Sequence, residues 1–203
     1  MPAEPTLEHL FPTTILIADH PDAGRLNAAL LEIVVATRNA DPEGRKRSNV
    51  QAWQSDRLDR SAPPIQEFCR FVLDHGMQFA RAHQWNVDGA VTLVMPELWV
   101  NVNGPNSFNQ LHTHPNSLIS GVYYARTPAD SGELILHDPR KQASVYQAPL
   151  SGRNFRNVHQ YQVEPKEGRL VLFPSWLEHG VGQNRSEEER VSFSFNIDQS
   201  LGG

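Results

Sequence analysis

An α+β fold that is mainly β is what the sequence predicts, with two amino-terminal helices packed on one sheet of a β-sandwich or barrel. Three observations lead there. Apolar residues recur at helical spacing in two segments before residue 86 and in none after it. Beyond that point the chain becomes short apolar or alternating runs separated by turn signals. A length of 203 residues suits one domain with a core large enough to need no disulfide or structural zinc. The expected organisation is a single domain, 1–203, in which 1–86 is helical support and 87–198 is the β core.

The first helix is expected over Ala23 to Thr37, where Leu26, Ala29, Leu30, Ile33 and Val34 fall on one face. The second is expected over Pro64 to Gln84, carrying Ile65, Phe68, Phe71, Val72 and Phe79. Between them Asn39 to Pro63 is polar, charged and proline-punctuated, which reads as a surface connection with Trp53 docked on the core. Strands are expected at Ala90 to Val102, Leu118 to Arg126, Glu133 to Asp138, Val158 to Val163, Arg169 to Phe173, Glu178 to Gln183 and Arg190 to Ile197. Turns fall at Ser131-Gly132 and Lys166-Glu167-Gly168. Helices covering one sheet leave the other sheet, or the mouth between them, for chemistry.

Composition narrows the function classes. Cys69 is the single cysteine, so neither an intrachain disulfide nor a cysteine-based zinc site is available, and a reducing, cytoplasmic setting fits. A formal charge of −5 carries no sign of a nucleic-acid footprint. No basic, apolar leader opens the chain and no run approaches the roughly 20 apolar residues of a membrane span, so a soluble, unexported protein is expected.

Chemistry concentrates in the second half. His112 and His114 at i and i+2 on extended chain point the same way, and His179 on a distant strand can close a metal-binding face. Arg190 opens the run Arg190-Val191-Ser192-Phe193-Ser194-Phe195-Asn196, where apolar residues face one layer and Arg190, Ser192, Ser194 and Asn196 the other. A half-exposed antiparallel strand explains the alternation as well. An arginine enclosed in a barrel, however, needs an anion, and a carboxylate met by its fork is the natural one. His137 and His159 are lower-ranked ligand candidates, and His9, His20, His75 and His83 read as ordinary surface or core residues.

The stretches LHTHPNSLISGVYYARTP, GELILHDPR, VEPKEGRLVLFPSWLEHGVGQ and ERVSFSFNI, in that order, resemble the double-stranded β-helix core of the Fe(II)/2-oxoglutarate-dependent dioxygenases, closest to a bacterial and phage branch. The resemblance runs from Trp99 to Ile197. It implies Fe(II) and 2-oxoglutarate as cofactors, and hydroxylation of a substrate with release of succinate and CO₂. It implies His112 as first ligand, His179 as distal ligand, Arg190 with Ser192 on the far carboxylate of 2-oxoglutarate, and Tyr124 hydrogen-bonded to that carboxylate.

One position departs from the family pattern, which is His-x-Asp or His-x-Glu: here His114 stands in the place of the acid. Three arrangements remain open. His114 is the third ligand, the reading we favour; or His114 is the first ligand with Asn116 in the carboxylate place; or Asp138 or Glu133 completes the site. Substrate, a small molecule or peptide, would meet Asn101, Asn103 and Trp176, and the basic segment 139–157 would close over it as a lid. The sequence is silent on oligomeric state. A cupin-like metalloenzyme using three histidines without 2-oxoglutarate, and a metal-free β-sandwich binding module, are the competing functional classes.

Overall fold

The computed structural model describes residues 5–87 and 91–201. Ala90, the expected start of the first long strand, lies outside them. Among the described residues the order is β1 (Leu16–Asp19), α1 (Ala23–Ala40), β2 (Asn49–Val50), β3 (Trp53–Gln54), α2 (Pro63–Ala82), β4 (Val91–Asn103), β5 (Phe108–His112), β6 (Ile119–Arg126), β7 (Leu134–His137), β8 (Gln160–Val163), β9 (Arg169–Pro174), β10 (His179–Val181) and β11 (Arg190–Leu201). A short 3₁₀ turn, Lys141–Ser144, sits in the long connection before β8.

Two antiparallel sheets face one another in a double-stranded β-helix. The larger has the order β1-β9-β6-β11-β4-β3 and the smaller β2-β5-β10-β7-β8. Both helices lie on the outer face of the larger sheet, against β6 and β4. Each expected helix and strand forms. β1, β2, β3 and β5 are additions to the expected set: they are short or, in the case of Phe108–His112, polar enough to read as loop.

Alternation along β6 and β11 sorts side chains between two cores. Tyr123, Phe193 and Phe195 join Leu26, Leu30 and Phe68 in the core beneath the helices. Tyr123 also donates a buried hydrogen bond of 2.7 Å to Asn27 Oδ1 on α1. Tyr124, one residue on, falls on the opposite face with Val122, Leu134 and Phe173, between the sheets. The same alternation puts Arg190, Ser192, Ser194 and Asn196 on the inner side.

Gly121, within the SGVYY stretch, faces Phe195 across β6 and β11. A Cβ there would lie 2.5 Å from Phe195 Cζ and 2.8 Å from Leu172 Cδ2. Gly121→Ala is expected to destabilise the fold by about 1–3 kcal/mol through overpacking, read as a lower urea midpoint with unchanged slope.

Candidate metal centre

β5 and β10 are neighbours in the smaller sheet, and His112 at the end of one stands opposite His179 at the start of the other. His114 lies two residues past the strand, its backbone N–H tied to Ser175 O at 3.0 Å. The three imidazoles converge, one ligand nitrogen from each lying within 4.8 Å of the others. Among the described residues no carboxylate joins this group.

Backbone carbonyls fix two of the rings. His112 Nδ1 lies 2.7 Å from Gln110 O and His179 Nδ1 lies 2.8 Å from Leu177 O. A carbonyl only accepts, so both Nδ1 atoms carry the hydrogen and both Nε2 atoms keep a lone pair that can take a cation, that of His112 facing Ser48 Oγ at 3.5 Å in this structure. Phe173 packs edge-on against His179, with ring centres 4.6 Å apart, and Trp99 lies beside His114. Burial drives His179 down to about 3 and His114 down to about 4, with the neighbouring imidazoles adding to it, and lowers His112 as well. All three are therefore neutral, ligand-ready bases at pH 7.

A pH dependence follows from these directions. The folded-state values lie below the unfolded reference of about 6.5, so the unfolded chain binds more protons and stability rises with pH in that range. The metal-free protein is expected to hold full stability from these groups above about pH 6.5. It should lose stability progressively as pH falls toward 4 and 3. Melting temperatures of the chelator-treated protein at a series of pH values from neutral down to about 4 check this, and His179→Ala should flatten the slope.

The histidines line a cavity of about 730 Å³ that also holds Arg190, Tyr124, Ser192 and Asn101. Arg190 is 1% exposed, and its Nη1 donates to Ser131 O at 2.7 Å and Gly132 O at 2.8 Å. Its Nε is buried without a partner. An orphaned, buried guanidinium N–H is an unmet demand for an anion. Gly132, at φ +88° with Gly182 O only 2.1 Å from where a Cβ would stand, is the one residue type that presents its carbonyl to Arg190 in this turn. Burial pushes the Tyr124 phenol up to about 12, which keeps it a hydrogen-bond donor. Three neutral imidazoles and an anion-seeking arginine in one cavity fit a divalent metal and a dicarboxylate cosubstrate.

The other expected residues divide between this cavity and positions away from it. Asn101 lines the cavity, its Nδ2 on Ser194 Oγ at 3.0 Å and its Oδ1 buried without a partner. Asn103 is fully buried and does not reach the cavity; its amide bonds Asn109 Oδ1 at 3.3 Å. Trp176 is 56% exposed and off the cavity, because the chain turns outward between β9 and β10. Asp138 is held by Arg140 at 2.9 Å and borders a separate cavity of about 480 Å³. Neither it nor Glu133 stands with the histidines, and Asn116 occupies a left-handed turn at φ 68°.

The segment 139–157 is not a lid over the histidines. Pro139, Arg140, Phe155 and Arg156 border the second cavity, against the amino-terminal residues His9 to Ile15. The wall of the first cavity is instead the connector between the helices, through Arg45, Arg47, Ser48, Gln54 and Arg57. By its polarity and prolines that connector reads as plain surface. Its one warning sign is Trp53, which is buried in the core and pairs with Val102 of β4, pinning the connector to the β core, while its Nε1 donates to Asp41 O at 2.9 Å within the connector. Glu97, at the cavity edge on β4, carries no motif that would single it out in the sequence.

Residues 97–196, from β4 to β11, match the family model described as "Putative 2OG-Fe(II) oxygenase". Among solved structures the chain is similar to a Pseudomonas putida prolyl-4-hydroxylase, at 18% identity over 92% of both chains with a TM-score of 0.61. It is similar to HygX from Streptomyces hygroscopicus, solved with nickel, 2-oxoglutarate and hygromycin B, at 14% identity, covering 92% of this chain and 83% of that one, with a TM-score of 0.61. The carbocyclase SnoK of nogalamycin biosynthesis gives 13% identity, 94% and 82% coverage and a TM-score of 0.64. At such identities these likenesses establish the fold. No curated protein matches the chain by sequence. Among the described residues no helix is long and apolar enough to cross a membrane. The match across residues 97–196, together with a fold shared with 2-oxoglutarate oxygenases and a cavity that suits Fe(II) and 2-oxoglutarate, identifies the β core as similar to the family described as "Putative 2OG-Fe(II) oxygenase".

Proposed function

We propose that the protein hydroxylates a small-molecule or peptide substrate at this cavity, with His112, His114 and His179 holding the iron and Arg190 holding 2-oxoglutarate. The observation that carries the reading is the orphaned Arg190 Nε in the cavity that the three imidazoles line. With Nη1 turned to two backbone carbonyls, the Nε and Nη2 edge is left to meet the far carboxylate in a fork. Tyr124 and Ser192 stand in the same cavity as hydroxyl donors to that carboxylate. With O₂ as the oxidant, bound Fe(II) and 2-oxoglutarate would supply the chemistry of C–H hydroxylation, one oxygen atom going to the substrate and the other to succinate as CO₂ is released. The protein's share is to bind, orient and exclude water.

The connector wall and Asn101, whose Oδ1 is unpaired, are the groups in place to meet substrate. A reducing compartment, the cytoplasm, is supported by the lone Cys69, half-buried and raised in pKa by burial.

A thermal-shift panel of Mn(II), with and without 2-oxoglutarate, tests the reading by mass action. Stabilisation by the metal, with a further rise from 2-oxoglutarate, is expected, and Fe(II) with 2-oxoglutarate should give succinate. A metal shift with no added 2-oxoglutarate shift and no succinate would favour the three-histidine centre without cosubstrate. No shift from either would leave a metal-free binding module.

A further inference from the structure

His114 differs from the other two histidines in what faces its Nδ1. Carbonyls stand against His112 and His179, whereas a side-chain amide, Asn196 Nδ2, lies 3.5 Å from Nδ1 of His114. The amide is locked in that orientation. Its Oδ1 accepts from Ser120 Oγ at 2.8 Å and its Nδ2 donates to Glu97 Oε2 at 2.6 Å, so turning it over would set amide oxygen against carboxylate oxygen. An imidazole that gives Nε2 to a metal carries its hydrogen on Nδ1, and that hydrogen needs an acceptor. An amide nitrogen is not one.

The acceptor at hand is the carboxylate on the other side of that amide. Glu97 is the residue opposite Asn196 in the pairing of β4 with β11, it lines the same cavity as His114, and Arg57 Nη2 holds its other oxygen at 2.5 Å. We propose that Glu97 is the outer carboxylate of His114, taking the Nδ1–H of that ring once a metal is bound. It thereby returns, one layer out, the negative charge that a His-x-His motif leaves out of the ligand set. Glu97 touches neither metal nor substrate and is a positioning residue. Asn196 and Arg57 hold the carboxylate in the cavity it shares with the ring, without a direct hydrogen bond to it, and the contact needs a rotation of the Glu97 side chain. The other two ligands need no such partner, since main-chain carbonyls already take their Nδ1 hydrogens. The inference rests on His114 being the third ligand.

Calorimetric titration of the metal-stripped full chain with Mn(II), without 2-oxoglutarate, reads the effect. Glu97→Gln is expected to weaken Mn(II) about tenfold, the lower end of the range for outer partners of metal-bound histidines. In a His114→Asp background the ring N–H is gone, and Glu97→Gln should change affinity by less than about threefold, a difference a double-mutant cycle isolates. An unchanged affinity in the wild-type background overturns the proposal. So does an equal loss in both backgrounds, the mark of a merely structural role. A second readout needs no double variant: in the Zn(II)-loaded protein, Glu97→Gln should move the Nδ1–H proton resonance of His114 and leave those of His112 and His179 in place. All three moving, or none, would sink the idea. Undiminished Mn(II) binding by His114→Ala would instead remove the three-histidine reading beneath it, so the two failures are told apart.

Discussion

Arg190→Met is expected to abolish stabilisation by 2-oxoglutarate while leaving stabilisation by Mn(II) intact. Methionine fills much of the same volume without a charge or a donor, so the far carboxylate would be desolvated with nothing to meet it. Losing one partner of a buried charge pair costs about 2–5 kcal/mol, enough to weaken 2-oxoglutarate by at least roughly thirtyfold. The variant also strips the donor from Ser131 O and Gly132 O, lowering stability of the free protein by about 1–3 kcal/mol. The two effects separate in a thermal-shift titration: the baseline falls, and the increment from 2-oxoglutarate vanishes. Survival of that increment would refute Arg190 as the clamp. Arg190→Lys should recover little, because a point charge cannot serve two carbonyls and a carboxylate in one plane.

His179→Ala is expected to reduce bound metal to background, measured by elemental analysis after dialysis against Mn(II) or Fe(II). His179 is the deepest of the three, 5% exposed, and its ring is fixed by Leu177 O and by Phe173. Its removal leaves two ligands that cannot enclose a cation. His112→Ala should behave alike, since His112 faces it directly across β5 and β10. Undiminished metal in either variant would overturn the assignment of ligands. Both variants should retain the fold, because the core beneath the helices does not involve these side chains.

Much of the architecture is legible in the amino-acid sequence. Strict alternation over Arg190 to Ile197 marks the two faces of β11, and the structure sends Val191, Phe193 and Phe195 to the helix-side core and the polar set inward. Helical periodicity locates α1 and α2 because each buries one stripe on a sheet. Less legible are the short edge strands, whose few residues carry no period, and β5, whose Phe-Asn-Gln-Leu-His has polar side chains on both faces. Asn103, Trp176 and the 139–157 segment depart from expectation for one reason: proximity in sequence to a histidine or a strand end says nothing about which side of a turn a side chain takes.

The sequence by itself determined the chemical types: three imidazoles, an arginine on an inward-facing register, and the alternation that separates core from cavity. These are properties of residue identity and of the two-residue period of a strand. Only the tertiary structure decided what stands beside them. It paired β5 with β10 so that His112 meets His179, turned two ring hydrogens onto carbonyls, left Arg190 Nε unanswered, and brought the distant 45–57 connector and Glu97 to the cavity. Such neighbours come from chain segments tens of residues apart, and packing of the two sheets and helices, with no local pattern to announce it, fixes them.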